Sequence, residues 1–161
     1  MVFPGRYESL AEIADFVRAA ARETGLDDFS IYAVETAVDE ACSNIIEHAY
    51  QGEDNGVIEC ALTIKPDRLT IVLEDQGLPF NPKDIPDPKL SVPLEERDDH
   101  GLGLFFIRQM MDEVFFENTG PERGNRVTMI KYKEHLGKKH RHLRGHGNRV
   151  TMTKDKEKKV G

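Results

Sequence analysis

The stretch "DEACSNIIEHAY" at residues 39–50 sets Glu40, Asn44 and Glu47 at the helical spacing i, i+4 and i+7, bordering an apolar face of Ala41, Ile45 and Ala49. Two carboxylates and a carboxamide on one stripe suit a hard cation such as Mg2+, which takes oxygen ligands and keeps waters and substrate phosphates in its shell. Asn44 could hold such a cation. Glu40, one turn earlier, could accept a proton from an attacking hydroxyl or water. Taken one at a time, each of these residues is better explained as a solvated position on an amphipathic helix.

Two further stretches could carry chemistry. "HGLGLFF" at residues 100–106 stands at a loop-to-helix junction, where unpaired backbone N–H groups and the positive end of a helix can receive a phosphate. It is no Walker A, since no Gly-Lys-Ser/Thr follows, and no Rossmann fingerprint, since the third glycine is missing and no strand precedes it. By itself it reads as a flexible entry into a packed helix. Asp75 closes an apolar run and precedes Gln76-Gly77, which a turn explains equally well. A partly buried carboxylate there could also accept a hydrogen bond from the exocyclic amine of adenine, where guanine presents a carbonyl.

The elements that must position these groups follow from periodicity. "SLAEIADFVRAAARETG" has a helical period, with Ser9 and Glu12 forming a capping box and Gly25 as the stop. Ser30 caps a second helix that runs through the 39–50 stretch to the break at Gln51-Gly52. Strand-like runs at 57–64 and 69–75 are joined by a four-residue loop, Lys65-Pro66-Asp67-Arg68. Five prolines and many charges make residues 76–101 mostly loop, a length that points to a lid or a disordered insertion. "GLGLFFIRQMMDEV" then turns helical with Leu104, Ile107 and Met111 on one face, and "EVFFEN", the turn "TGPERG" and "NRVTMIKY" form a second hairpin. This order predicts an α+β two-layer sandwich: a mixed, mostly antiparallel sheet with its helices packed on one face.

In this order, Glu-x-x-x-Asn on a helix, strand-Asp-x-Gly, and a long lid ending Gly-x-Gly before another helix resemble the Bergerat-fold (histidine kinase-like) ATPases. Over residues 8–133 the wording "DEACSNIIEHAY", "EDQGLPFNP", "PLEERDDHGLGLFFIRQMMDEV" and "GNRVTMIKY" is similar to the anti-sigma-factor serine/threonine kinases of bacterial partner switching. The resemblance implies ATP and Mg2+ as cofactors. It makes Asn44 the metal-binding asparagine, Glu40 the catalytic glutamate, Asp75 the adenine-binding aspartate and Gly77 the glycine beside it. Gly101 and Gly103, with Leu102 and Leu104, match the second glycine box over the phosphates, and Asn125 falls where many relatives carry a threonine that assists adenine. Implied partners are a STAS-domain anti-anti-sigma protein as substrate and a sigma factor as captive, through a homodimer. Pro79 stands where the first glycine box often has its last glycine, and Asp99-His100 where several such kinases carry a basic residue, the nearest cation being Arg97. That substitution weakens the case for phosphotransfer relative to nucleotide binding. A catalytically silent ATP-binding adaptor and a detached sensor-kinase catalytic domain therefore stand as rivals, although no histidine on a dimerisation helix is evident for the latter.

Length and charge narrow the classes. The 161 residues suffice for one domain, expected over residues 1–133, with a real core. The N-terminus lacks a cationic-then-apolar pattern and no run reaches 18 apolar residues, so a cytoplasmic protein without a membrane span is expected. Cys42 and Cys60 have no metal or framework spacing and read as small buried hydrophobes. The net charge of −7 divides unevenly: residues 133–161 hold 10 Lys and Arg against 3 Asp and Glu, leaving 12 against 26 for residues 1–132. An acidic body argues against a nucleic-acid surface there. The basic tail, 134–161, repeats "GNRVTM" of residues 124–129 at 147–152 without the apolar residues that follow the first copy, and is expected to stay disordered. Among its four histidines, His140-x-His142 is a possible metal site but has no carboxylate or cysteine beside it, so a specific metal is not expected, and His48 is expected to cap or hydrogen-bond rather than accept phosphate.

Overall fold

The computed structural model describes residues 1–79, 81, 102–118 and 124–133. Most of the expected 76–101 loop, and the tail, lie outside the described residues. In chain order the elements are β1 (Val2–Pro4), α1 (Ser9–Thr24), α2 (Asp28–Asn44), a π-helical turn (Ile45–Ala49), β2 (Val57–Lys65), β3 (Arg68–Asp75), α3 (Leu102–Met110), β4 (Glu113–Asn118) and β5 (Asn125–Tyr132). The five strands lie in the order β1-β2-β3-β5-β4, and all four pairings are antiparallel.

Alternation decides which sheet face meets the helices. Every second residue of β3, namely Leu69, Ile71, Leu73 and Asp75, is buried, as are Asn125, Val127 and Met129 of β5. Against these rows pack Ile13, Val17 and Ala21 of α1, Val34, Ala37, Val38, Ala41 and Cys42 of α2, and Leu104 and Ile107 of α3, in one cluster. The opposite face carries Glu59, Ala61 and Thr63 exposed, so the sandwich has two layers as expected. Each fully buried Leu or Ile side chain contributes roughly 1.5–3 kcal/mol, and Ile71, Leu73 and Met129 hold the centre at 0% exposure. Asp75 and Asn125 are the polar members of otherwise apolar inward rows.

Local chemistry sets the boundaries, in places differently from the sequence reading. The cap of α2 is Asp27, not Ser30: its carboxylate accepts from the Ser30 N–H at 2.6 Å, so Ser30 supplies the orphan donor rather than the cap. The Ser9–Glu12 capping box does not form. Glu8 is already helical, and the Ser9 and Leu10 amides are satisfied by the carbonyls of Arg6 and Tyr7, each at 3.1 Å. Gly25 does stop α1 at φ 76°, with its own N–H on Arg22 O and the Leu26 N–H on Ala21 O, the paired bonds of a Schellman cap. The β2–β3 turn is tighter than the four residues expected, because Lys65 pairs with Arg68 and only Pro66-Asp67 remain between them. β1 had no sequence signal: three residues ending in proline are too short for a periodicity. The second helix stops where expected, but its last five residues widen from α to π geometry.

Both cysteines are free and buried. Burial pushes the Cys60 thiol up to about 11, and Cys42 higher still, so both behave as apolar packing groups. No helix among the described residues is long and apolar enough to cross a membrane.

The left-handed cap generates a prediction. A methyl on Gly25 would meet only the flexible end of Lys133, so Gly25→Ala is expected to show the backbone penalty alone, about 1–2 kcal/mol. Urea unfolding should show a lower midpoint at an unchanged slope; an unaltered midpoint would contradict this cap.

Candidate functional site

The inward faces of α2 carry Val34, Ala37, Val38, Ala41 and Cys42 into the core, leaving Glu40 and Asn44 half-buried at its rim. The first turn of α3 closes over them. A Cβ on Gly103 would lie 2.6 Å from Glu40 Oε2 and 3.5 Å from Asn44 Nδ2; the glycine lets the Glu40 carboxylate lie directly against the α3 backbone, and a side chain there would move the carboxylate aside. Glu40, Asn44 and Gly103 are thus brought together as the sequence predicts. Burial first, then the neighbouring carboxylates of Asp39 and Glu47, raise the Glu40 carboxyl above the ordinary range, which makes it a stronger proton acceptor once ionised.

Glu47 leaves the group. On the π turn it stands exposed and accepts from the Tyr7 hydroxyl at 2.8 Å. His48, on the same turn, is exposed as well.

The second cluster forms where β3 ends. Antiparallel register sets Asp75 directly opposite Asn125, and Asp75 is 5% exposed. Its Oδ1 accepts from the Gly77 N–H at 2.8 Å and from Asn125 Nδ2 at 2.9 Å, while Asn125 Nδ2 also donates to Leu78 O at 2.9 Å. Among the described residues Oδ2 takes no hydrogen bond, so one oxygen is structural and the other remains available to a ligand donor. Burial raises the Asp75 carboxyl, and the Asn125 and Gly77 bonds offset part of that rise.

Two glycines make this approach possible. A Cβ on Gly77 would come within 2.5 Å of the Ala49 carbonyl, and one on Gly124, at φ 70°, would lie 1.8 Å from Asp75 O. Gly77 is legible in the Asp-x-Gly motif, whereas Gly124 reads from sequence as a turn residue, its one signal being that it immediately precedes Asn125.

A cavity joins the clusters. It is lined by Asn44, Asp75 and Asn125 with an apolar wall from Ala41, Ile45, Ile107, Phe116 and Val127, a combination that suits a flat apolar ring system bearing a few hydrogen-bonding edges. Leu104 is 3% exposed in the core, so its part in binding could come only through its backbone, while Leu102 is half-buried beside it. Gly101, Arg97, Asp99 and His100 lie outside the described residues.

The donor set bears on the metal. Among the described residues no three His, Cys, Asp or Glu stand together as a metal cage. Mg2+ needs none when it arrives with phosphates, because one or two protein oxygens then complete its shell. The carboxamide of Asn44, beside the Glu40 carboxylate at the rim of the cavity, fits that role.

The family model for the histidine kinase-like ATPase domain matches residues 3–131. The serine-protein kinase RsbW of Bacillus cereus (strain AH187) is 32% identical over 136 residues, covering 82% of this chain and 82% of that protein. RsbW of Bacillus mycoides (strain KBAB4) is 32% identical over 141 residues with the same coverage. Among solved structures, the nucleotide-free catalytic domain of histidine kinase ThkA covers 83% of this chain and 97% of its own at 17% identity, with a TM-score of 0.49.

The split duty of Asp75 separates stability from binding. With its folded pKa raised, Asp75 contributes stability that is fully present below the ordinary aspartate range and lost as pH rises through the raised value. Asp75→Asn removes that loss while keeping an oxygen for Gly77 and Asn125, and it turns an amide N–H toward the ligand donor. The nucleotide-free variant should therefore melt no lower than the parent at pH 7, yet bind ATP roughly tenfold to a hundredfold more weakly by calorimetry. Undiminished ATP affinity would remove Asp75 from the site.

Proposed function

The chain belongs to the histidine kinase-like ATPase family and to its serine-protein kinase branch, and we propose that it acts there as a Mg-ATP-dependent serine/threonine kinase and anti-sigma factor. Its substrate is a STAS-domain anti-anti-sigma protein, its captive a sigma factor, its working form a homodimer and its compartment the cytoplasm. The observation that carries this reading is the shared cavity, with the Asp75–Asn125 pair and Asn44 of the Glu40–Asn44–Gly103 group on its wall.

In this reading Asp75 Oδ2 accepts from the exocyclic amine of adenine, and the apolar wall holds the ring. Guanine would set a carbonyl against the carboxylate and be rejected. Asn44 contributes an oxygen toward Mg2+, which neutralises phosphate charge when bound. Gly103, with no side chain, lets the first turn of α3 close on the phosphates; the family resemblance gives Gly101, outside the described residues, a part in the same cover. Glu40 accepts the proton of the substrate hydroxyl as its oxygen bonds to the γ-phosphorus, the bond to the bridging oxygen breaks, and ADP departs. Positioning supplies most of the acceleration.

Asp99-His100, in place of a basic residue, favours one second reading, an ATP-binding adaptor that exchanges partners without phosphotransfer. Incubation with γ-labelled Mg-ATP and a STAS protein separates the two. Labelled phosphoserine or phosphothreonine is expected, and nucleotide binding without labelled product would sink the kinase. Glu40→Gln should keep nucleotide binding within about twofold while transfer falls on the order of a hundredfold to ten-thousandfold; Asn44→Ala should instead weaken Mg-dependent ATP uptake.

A further inference from the structure

Three consecutive amides follow Asp75, and each has a different partner. The Gln76 N–H bonds the Tyr50 hydroxyl at 3.1 Å, the Gly77 N–H bonds Asp75 Oδ1 at 2.8 Å, and the Leu78 N–H bonds Ala49 O at 2.8 Å. Two of the three partners, Ala49 and Tyr50, come from the end of the helix that carries Glu40 and Asn44.

The π turn puts them there. The Tyr50 N–H bonds Ile45 O at 2.8 Å, five residues back, so the chain leaves the helix axis in a wider turn than an α-helix would make. The Tyr50 ring is 8% exposed, and the chain is cleared for it by two glycines: a Cβ on Gly56 would stand 2.3 Å from the ring, and one on Gly5 3.1 Å. Its hydroxyl donates to Val57 O at the start of β2 while accepting from Gln76 at the exit of β3. Burial raises the phenol's pKa, which keeps that donor protonated.

We propose that Tyr50 is a positioning residue for adenine recognition, its hydroxyl fixing the backbone at Gln76 so that the Asp75 carboxylate meets the exocyclic amine of the base. The tyrosine touches neither base nor phosphate in this assignment. It acts on Asp75 through one peptide unit, and it ties the Asp75 end of the site to the helix that bears Glu40 and Asn44. The assignment rests on the ATP-binding reading given above.

The test compares ATP with purine riboside triphosphate, which lacks the amine, on the full chain. The unaltered protein should prefer ATP, and Asp75→Asn should abolish that preference. Tyr50→Phe should weaken ATP roughly threefold to tenfold while leaving the amine-free nucleotide within about twofold, so the preference collapses although the triphosphate still binds. A preserved ATP preference, whether both affinities fall together or neither falls, overturns the role of Tyr50. If the unaltered protein shows no preference or no uptake, the ATP reading fails first and takes the inference with it. Amide exchange supplies a readout that needs no variant: in the nucleotide-free protein the Gln76 amide, although its residue is exposed, should exchange as slowly as those of Gly77 and Leu78. Exchange of Gln76 at an open-loop rate would also overturn the assignment.

Discussion

Taking the Asp75 carboxylate out of water costs several kcal/mol unless protein donors replace the lost solvation. The period of β3 leaves little choice in the matter, since Leu69, Ile71 and Leu73 point inward and Asp75 is next in the same row. What the fold supplies is a partner in the facing row. Asn125 opens β5 directly across the ladder, and its amide reaches Asp75 Oδ1 and Leu78 O together. Among the described residues only one carboxylate oxygen is consumed. The same register that pairs the hydrophobic core therefore also fixes the direction in which the other oxygen points.

Holding the strand end is not enough to build a site, because the groups at its other end belong to a helix. Contact between the two is made by backbone. Ala49 O receives the Leu78 N–H, and Gly77 passes so close to Ala49 that no side chain could be present. An α-helical ending would carry Ala49 and Tyr50 round on a tighter radius; the π turn shifts them outward to where the 76–78 amides lie. A local irregularity in the helix thus does the joining, and the exposed Glu47 and His48 mark the side of the turn that faces away from the core.

Much of this was legible beforehand, and the limits are physical. Helices α1 and α2 and both hairpins are legible by period; Glu40, Asn44, Asp75, Gly77 and Gly103 stand out as motifs in chain order, Asn125 only through the family resemblance, and the structure places Glu40, Asn44 and Gly103 in one group and Asp75, Gly77 and Asn125 in another. Caps were ambiguous because Asp27, Ser30, Glu8 and Ser9 all belong to residue types that can cap or sit in a first turn, and only the backbone path distinguishes them. β1 is too short to show alternation. Gly124 and Tyr50 were missed for a deeper reason: neither has a chemistry of its own at the site. Gly124 matters because Asp75 O occupies the space a methyl would need, and Tyr50 because its hydroxyl bridges the start of β2 at Val57 and the exit of β3 at Gln76, a pairing no local pattern announces.

The arrangement at Gly103 shows how the half-buried Glu40 carboxylate is accommodated. A raised carboxyl pKa signals an environment that disfavours charge, here burial together with Asp39 and Glu47. Oε2 sits where a Gly103 side chain would be, against α3. A side chain at Gly103 would displace the carboxylate from that place, while its burial and its two acidic neighbours would go on disfavouring charge. Gly103 therefore sets where the Glu40 carboxylate can stand, and burial with Asp39 and Glu47 sets how readily it ionises.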